Sequence, residues 1–197
     1  MAPQHCSLQL LVVFFLEVIM NEIWLKEVSV NDGEEFCDLL IELANYDEAY
    51  AKPVPGDFSK DDFQSFKEAR VQMALGENLP SYVVPTSTYW IMDQNEAIGY
   101  ATLKHWVDPN KPGGHLGCCL KRSHQNQGLG TIVANKLSEI AYNNLGITEL
   151  VYTSKDENIQ SQKSLEKIGA KLVSTHDGYH FYVVDLSKKY GKEERMR

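Results

Sequence analysis

A chain of 197 residues is long enough to bury one core of ordinary domain size. With 43% apolar and 23% charged residues, its composition excludes a coiled coil, a collagen or a wholly disordered chain. The formal net charge of −8 speaks against a nucleic-acid partner, which selects basic surfaces.

The acids are unevenly placed. Residues 31–110 carry 15 of the 27 acids but only 5 of the 19 bases. That half either attracts a cation or merely solvates its helices. The cysteines Cys6, Cys37, Cys118 and Cys119 form no CxxC pair, and the histidines show no HxH or HExxH spacing. A reduced, cytoplasmic protein with no metal is expected.

Leu8–Met20 is apolar but shorter than the ~20 residues that span a bilayer. It contains Glu17 and has neither a preceding Lys or Arg nor a small-residue cleavage site, so no membrane partner and no signal peptide are expected. Residues 1–20 read as an N-terminal appendage, through an early start codon ahead of Met20 or as an added helix or strand. The domain is placed at 21–187 and a loose, charged tail at 188–197.

In chain order, Ile23–Val30 alternates like a half-buried strand. Asn31-Asp32 can cap a helix reaching Asn45, with Phe36, Leu39, Leu40 and Leu43 at helical spacing. A Pro/Gly break over Tyr46–Asp57 follows, and Ser59 caps a second helix with Asp61 and Asp62 in its first turn. Thr88–Met92 and Ala97–His105 predict a hairpin, and His115–Leu120 a short strand. Gly128–Asn144 predicts an amphipathic helix ended by Gly146. Ile147–Thr153 is a strand, Asn158–Ile168 a helix ended by Gly169, and Ala170–Thr175 and Tyr179–Leu186 a hairpin through Asp177-Gly178. The strand-helix-strand run from His115 to Thr153 predicts a parallel pair with a helical crossover. The remainder predicts antiparallel pairing, hence an α+β fold with a mixed sheet.

One segment carries chemistry. After the strand HLGCCL comes a polar loop and then Gln125-Asn126-Gln127-Gly128-Leu129-Gly130 opening a helix. A helix N-terminus leaves N–H groups unpaired and carries partial positive charge, and glycines let a phosphate approach. Lys121 and Arg122 add cationic charge. A Walker loop is absent, and the third glycine of a GxGxxG dinucleotide loop is replaced by Val133. What remains is [QR]xxGx[GA], which by itself could be no more than a glycine-rich turn.

With its flanking strand and helix, this pattern resembles the acyl-CoA-binding motif of the GNAT acetyltransferase superfamily. The element order from Ile23 to Leu186 is similar, as is the helix-glycine-strand segment TSKDENIQSQKSLEKIGAKL. LPSYVVPTSTYW, GGHLG and NIQSQKSLEKIGA resemble a bacterial subgroup of these enzymes. The resemblance implies a GNAT fold, a mixed and mostly antiparallel sheet of about seven strands with four helices in three layers (α/β/α). It implies acetyl-CoA as co-substrate and direct transfer of an acetyl group to a primary amine of a small molecule or peptide.

The resemblance also implies roles for residues. The pantetheine arm would add to the strand containing Cys118, Cys119 and Leu120 like a further strand. Backbone groups of Cys118 and Leu120 would pair with it, and the Cys118 N–H would polarise the thioester carbonyl. The pyrophosphate would rest on the loop Gln125, Asn126, Gln127, Gly128, Leu129, Gly130 and Thr131. Asn158 and Ser161 match positions that touch the cofactor, although Asn and Ser also cap helices. The tyrosine that many family members use as general acid falls at Leu165. Either the thiolate leaves unaided or another group serves. Tyr179 and Tyr182 are candidates, both also readable as core aromatics. His115 is the candidate base, although strand parity turns it away from the Leu116 face.

Tyr46, Asp47, Glu48, Trp90 and His105 are expected to line the acceptor side, where acids would favour a cationic amine. A covalent cysteine route is not expected, because neither Cys118 nor Cys119 has a neighbouring base. The alternative function is a catalytically weak CoA-binding sensor, supported by Leu165. A homodimer could form through an exposed strand edge or the N-terminal segment.

Overall fold

The computed structural model describes residues 23–46, 53–77, 79–109 and 111–191. The expected appendage at 1–20 and the acceptor-side candidates Asp47 and Glu48 lie outside them. Among the described residues no helix is long and apolar enough to cross a membrane.

The strands are β1 (Ile23–Glu27), β2 (Thr86–Asp93), β3 (Glu96–Lys104), β4 (Leu116–Leu120), β5 (Glu149–Lys155), β6 (Lys171–His176) and β7 (Tyr179–Asp185). The helices are α1 (Glu34–Ala44), α2 (Lys60–Leu75), α3 (Leu129–Leu145), α4 (Ile159–Lys167) and α5 (Leu186–Tyr190). The strands form two sheets, β1-β2-β3-β4 and β5-β7-β6. Every ladder in them is antiparallel.

The expected parallel ladder between β4 and β5 is absent among the described residues. The two strands are pinned just ahead of β4 and then part. The His115 N–H donates to the Val151 carbonyl at 2.8 Å, and the Gly113 N–H to Thr153 Oγ1 at 2.9 Å. Gly114, at φ +33°, makes the pin possible, because a Cβ there would lie 2.8 Å from the Val151 carbonyl oxygen. Beyond the pin, β4 pairs among the described residues only with β3, which leaves its other edge open to them.

Strand alternation gives the first sheet two apolar faces, each with its own core. On one face Ile91, Ile98 and Leu103 pack with Val133 and Leu137 of α3, with Leu165 of α4 and with Leu150 of the second sheet. On the other, Trp90, Tyr100 and Cys119 pack with Phe36 and Leu40 of α1 and Phe66 of α2. Helices therefore cover both faces, as in an α/β/α arrangement.

Two local expectations are corrected. The N-cap of α1 is Gly33, and Asp32 is instead a buried hub. Its carboxylate accepts from the Trp90 indole at 2.6 Å, from the Ser29 N–H at 2.8 Å, and from Lys26. Its carbonyl accepts from the buried Lys67 ammonium at 2.8 Å. The start of the expected loose tail is helical, because Asp185 caps α5 through the Lys188 N–H at 2.9 Å. In β6 all six residues are exposed, and Val173 bulges out of the ladder between Leu172 and Ser174.

Candidate active site

The parting of β4 from β5 opens a cleft of about 230 Å³ between β4, the Gln125–Gly130 loop, α3 and α4. Leu116, Cys118 and Leu120 line its β4 wall, and Tyr152 and Thr153 of β5 lie opposite. Asn158, Ser161 and Leu165 of α4 close one side, and Gln125, Asn126, Gly128, Leu129 and Gly130 form the mouth.

The backbone of β4 decides what its wall offers. In an antiparallel ladder, alternate residues turn both N–H and C=O to the partner. The Lys121 N–H bonds to Ile98 O at 2.8 Å, and the register pairs Cys119 with Tyr100 and Gly117 with Thr102. Gly117 and Cys119 therefore face β3 with their backbone groups, while those of Leu116, Cys118 and Leu120 point to the open edge. The Leu120 carbonyl is taken by Gln125 Nε2 at 2.9 Å. The N–H and C=O of Cys118 remain available.

The loop turns a run of backbone N–H groups toward open space. Asn126 and Gly128 adopt left-handed backbone, at φ +64° and +80°, which turns successive N–H groups outward. Among the described residues, the N–H groups of Gln127, Gly128, Leu129 and Gly130 have no acceptor. A Cβ at Gly128 or Gly130 would meet nothing within 4 Å, so the space over these groups is open. Thr131 departs from the expectation, since its N–H already donates to Gly128 O at 3.0 Å. The Gln127 side chain turns back to Ser123 O at 2.7 Å and leaves the wall. A bond unforeseen from the sequence ties the two helix starts together, from Gln160 Nε2 to Asn126 Oδ1 at 2.6 Å.

Asn158 and Ser161 reach the cleft, and Asn158 Oδ1 also caps α4 through the Ser161 N–H at 3.0 Å. Cys119 does not reach it, because strand alternation buries its side chain in the α1–α2 core. Desolvation pushes the Cys118 thiol up to about 12 and the Cys119 thiol to about 11. Cys118 opens to solvent at the cleft, yet protein surrounds it closely enough to disfavour its thiolate. Both shifts disfavour the thiolate that an acyl acceptor would need near neutral pH.

The three catalytic candidates, His115, Tyr179 and Tyr182, lie off the cleft wall. His115 is buried, at 6% exposure, and its Nδ1 accepts the Val151 N–H at 3.0 Å. This bond assigns the ring proton to Nε2, leaving no free acceptor for a base. His115 links the two sheets. Burial lowers its pKa from the usual 6.5, and the Val151 carbonyl, 3.4 Å from the same Nδ1, only partly offsets this. A lowered folded-state pKa means that the unfolded chain binds the proton first. Stability is then full above about pH 6.5 and falls as the pH drops through the unfolded value. His105, also held down by burial, acts in the same direction. Urea unfolding should therefore give a lower free energy at pH 5.5 than at pH 7.5, and His115→Gln should shrink the difference. An unchanged difference would remove His115 from this role.

Tyr182 is a core aromatic, 2% exposed, paired across the ladder with Tyr152. Trp90, expected on the acceptor side, is fully buried against Asp32. The Tyr46 hydroxyl accepts the Arg122 N–H at 3.0 Å, and His105 Nε2 pairs with Ser87 Oγ at 3.0 Å. Tyr152 is a wall residue the sequence did not single out. Its hydroxyl pairs with Ser138 Oγ at 3.1 Å, and burial raises its pKa. Among the described residues, no three His, Cys, Asp or Glu side chains are grouped to hold a metal.

A strand that diverges from its neighbour, followed by a turn of outward N–H groups at a helix start, is an arrangement that suits an acyl-CoA co-substrate. The sequence profile described as acetyltransferase (GNAT) domain matches residues 23–171. The chain belongs to this family and is an acyltransferase. No curated protein matches the sequence.

Solved structures share the fold. The microcin C7 self immunity acetyltransferase MccE, in complex with acetyl-CoA and AMP, is 20% identical with a TM-score of 0.63, over 85% of this chain and 94% of that one. Campylobacter jejuni N-acetyltransferase PseH with acetyl coenzyme A is 13% identical, TM-score 0.56, over 83% and 98%. A dodecameric spermidine N-acetyltransferase from Vibrio cholerae is 13% identical, TM-score 0.59, over 87% and 98%.

Proposed function

We propose that the protein is an acetyl-CoA-dependent N-acetyltransferase that moves an acetyl group directly to a primary amine of a small molecule or peptide. The observation that carries this reading is the Gln127–Gly130 turn, whose N–H groups have no acceptor among the described residues and open onto the cleft.

In this reading the turn holds the pyrophosphate oxygens. The open edge of β4 pairs with the pantetheine amides as an added strand would. The Cys118 N–H donates to the thioester carbonyl oxygen, where negative charge develops as the amine attacks. Acetyl-CoA supplies the activated acyl group, with a leaving thiolate of pKa about 8.5 that needs little assistance. That low value is consistent with Leu165 standing where a tyrosine acid is common. An alkyl ammonium has a pKa of about 10.4 and must lose a proton before attack. With His115 and Tyr182 away from the cleft, water is the simplest carrier of that proton. Holding both reactants in the cleft then supplies much of the rate.

The test is isothermal titration with acetyl-CoA, followed in the same sample by an amine panel monitored for free thiol. Micromolar binding with thiol release supports the transferase. Binding without release from any acceptor favours the CoA-binding sensor. Absence of binding overturns the reading of the turn.

A further inference from the structure

The back of β4, away from the cleft, holds polar groups that the proposed reaction has not used. Strand register places Thr88 of β2 beside Thr102 of β3, and Thr102 beside Gly117 of β4. These three share the face of Trp90, Tyr100 and Cys119, since they lie two residues from them along each strand. Gly117 adds no side chain to the row, and a Cβ there would come within 2.7 Å of Thr102 Oγ1. The row thus ends at the strand that also presents Cys118 to the cleft.

Arg70 of α2 lies over this face. Its guanidinium stands 4.9 Å from the centre of the Phe66 ring, and that ring packs 6.3 Å from the Tyr100 ring. Its charge also acts on the Tyr100 phenol. The one hydrogen-bond acceptor it finds among the described residues is the Met73 thioether, at 3.4 Å. Sulfur is a weak acceptor, while a guanidinium has five donors. This arginine has no carboxylate partner among the described residues, although its segment carries 15 of the chain's 27 acids.

Two buried side-chain polar atoms lack a hydrogen-bond partner among the described residues, and they are Arg70 Nε and Thr88 Oγ1. Both belong to this one face. Thr88 is 1% exposed, and its hydroxyl stands near the Tyr100 phenol without reaching hydrogen-bond geometry. Orphaned buried donors are costly in a native fold and call for an explanation. Lys104, in the next row of the same face, spends one donor on Gly113 O at 3.1 Å. Arg70 and Lys104 thus bring two cationic side chains to this face, in a chain that is acidic overall.

We propose that Arg70, with Thr88 and Thr102 beside it, binds an anionic oxyacid group of the acceptor, so the preferred substrate is an amine whose own molecule carries a carboxylate or a phosphate. An arginine fork matches either group through paired N–H donors. Thr102 pairs with Gly117 of β4, next to the Cys118 that lines the cleft, so an anion held here keeps its amine close to the strand that would carry the thioester. This rests on the transferase reading above and narrows its acceptor. It also replaces a purely cationic amine as the expected substrate.

The test compares acceptors in matched sets: the twenty amino acids, their decarboxylated amines, and phosphoethanolamine against ethylamine. Wild-type enzyme should favour the anion-bearing member by about 10-fold or more, the range of one lost charged hydrogen bond. Arg70→Met keeps the stem and removes the charge. It should raise KM for those acceptors by a similar factor and leave ethylamine and acetyl-CoA binding nearly unchanged. Arg70→Lys should recover part of the loss. The Arg70 Nε–H resonance should move on titration with a preferred acceptor. Preference for amino acids or for phosphoethanolamine identifies the anion. Equal turnover of plain and anion-bearing amines, or an equal effect of Arg70→Met on both, overturns the proposal and leaves the transferase standing. Failure of the wild type to bind acetyl-CoA overturns both.

Discussion

Gly130→Glu is expected to abolish acetyl-CoA binding while leaving the fold intact or slightly firmer. Position 130 lies in the first turn of α3 with ordinary negative φ and with open space where a Cβ would project. The new side chain therefore meets no protein atom at its root. A carboxylate at a helix N-terminus is favourable, and replacing a helical glycine gains about 0.5–1 kcal/mol. The same carboxylate would occupy the space of the pyrophosphate and repel its charge. Losing two charge-assisted N–H bonds, at about 1.5–3 kcal/mol each, weakens binding by a factor of about 100 or more. Calorimetry with acetyl-CoA and a thermal melt on the same sample read both effects. Retained micromolar binding would show that the phosphates do not sit on this turn. A collapsed melting temperature would show that the glycine is needed by the fold. Gly128 is a poorer choice for this experiment, because its φ of +80° makes any side chain strained.

Asp32→Ala should be among the most damaging single substitutions away from the cleft. It removes the acceptor of the Trp90 indole and of the Ser29 N–H and leaves Lys26 without its partner. The Asp32 side chain is 2% exposed, so water cannot readily substitute. Breaking a buried charged network in this way costs about 3–5 kcal/mol. For a chain of this size that corresponds to a fall in melting temperature of about 6–20 °C. Asp32→Asn keeps an acceptor for the indole and should cost less. Urea denaturation followed by Trp fluorescence measures both. A loss below about 1 kcal/mol for the alanine variant would mean that the α1 entry is held by packing alone.

These two residues also mark what sequence reading could and could not see. Gly130 was legible because a helix opening on glycines after a short strand is a local pattern with a local physical meaning. The amphipathic stripe of α3 and the Asp177-Gly178 turn were legible for the same reason, since both φ values there are positive, at 55° and 78°. Asp32 reads locally as a helix cap, and its true partners lie 6, 35 and 58 positions away. His115 was misplaced for the same kind of cause. Its residue type fits a base, but the Val151 N–H that fixes its tautomer is 36 positions distant. The missing ladder between β4 and β5 followed from treating a strand-helix-strand run as a closed pair, when Gly113–His115 pins it at one point only. Arg70 drew no attention because nothing in its neighbourhood along the chain indicates that its guanidinium lacks a carboxylate.

The bulge in β6 bears on what its open edge offers to another strand. An outer strand with every residue exposed, Leu172 and Val173 among them, is a template for runaway strand addition. Displacing Val173 from the ladder breaks that template into two short runs, Lys171-Leu172 and Ser174–His176, neither long enough to seat an incoming strand in register. Backbone irregularity, with one lysine at the start of the strand, takes the place of a charged border. A deletion that straightened β6 would trade this protection for a smooth, adhesive rim.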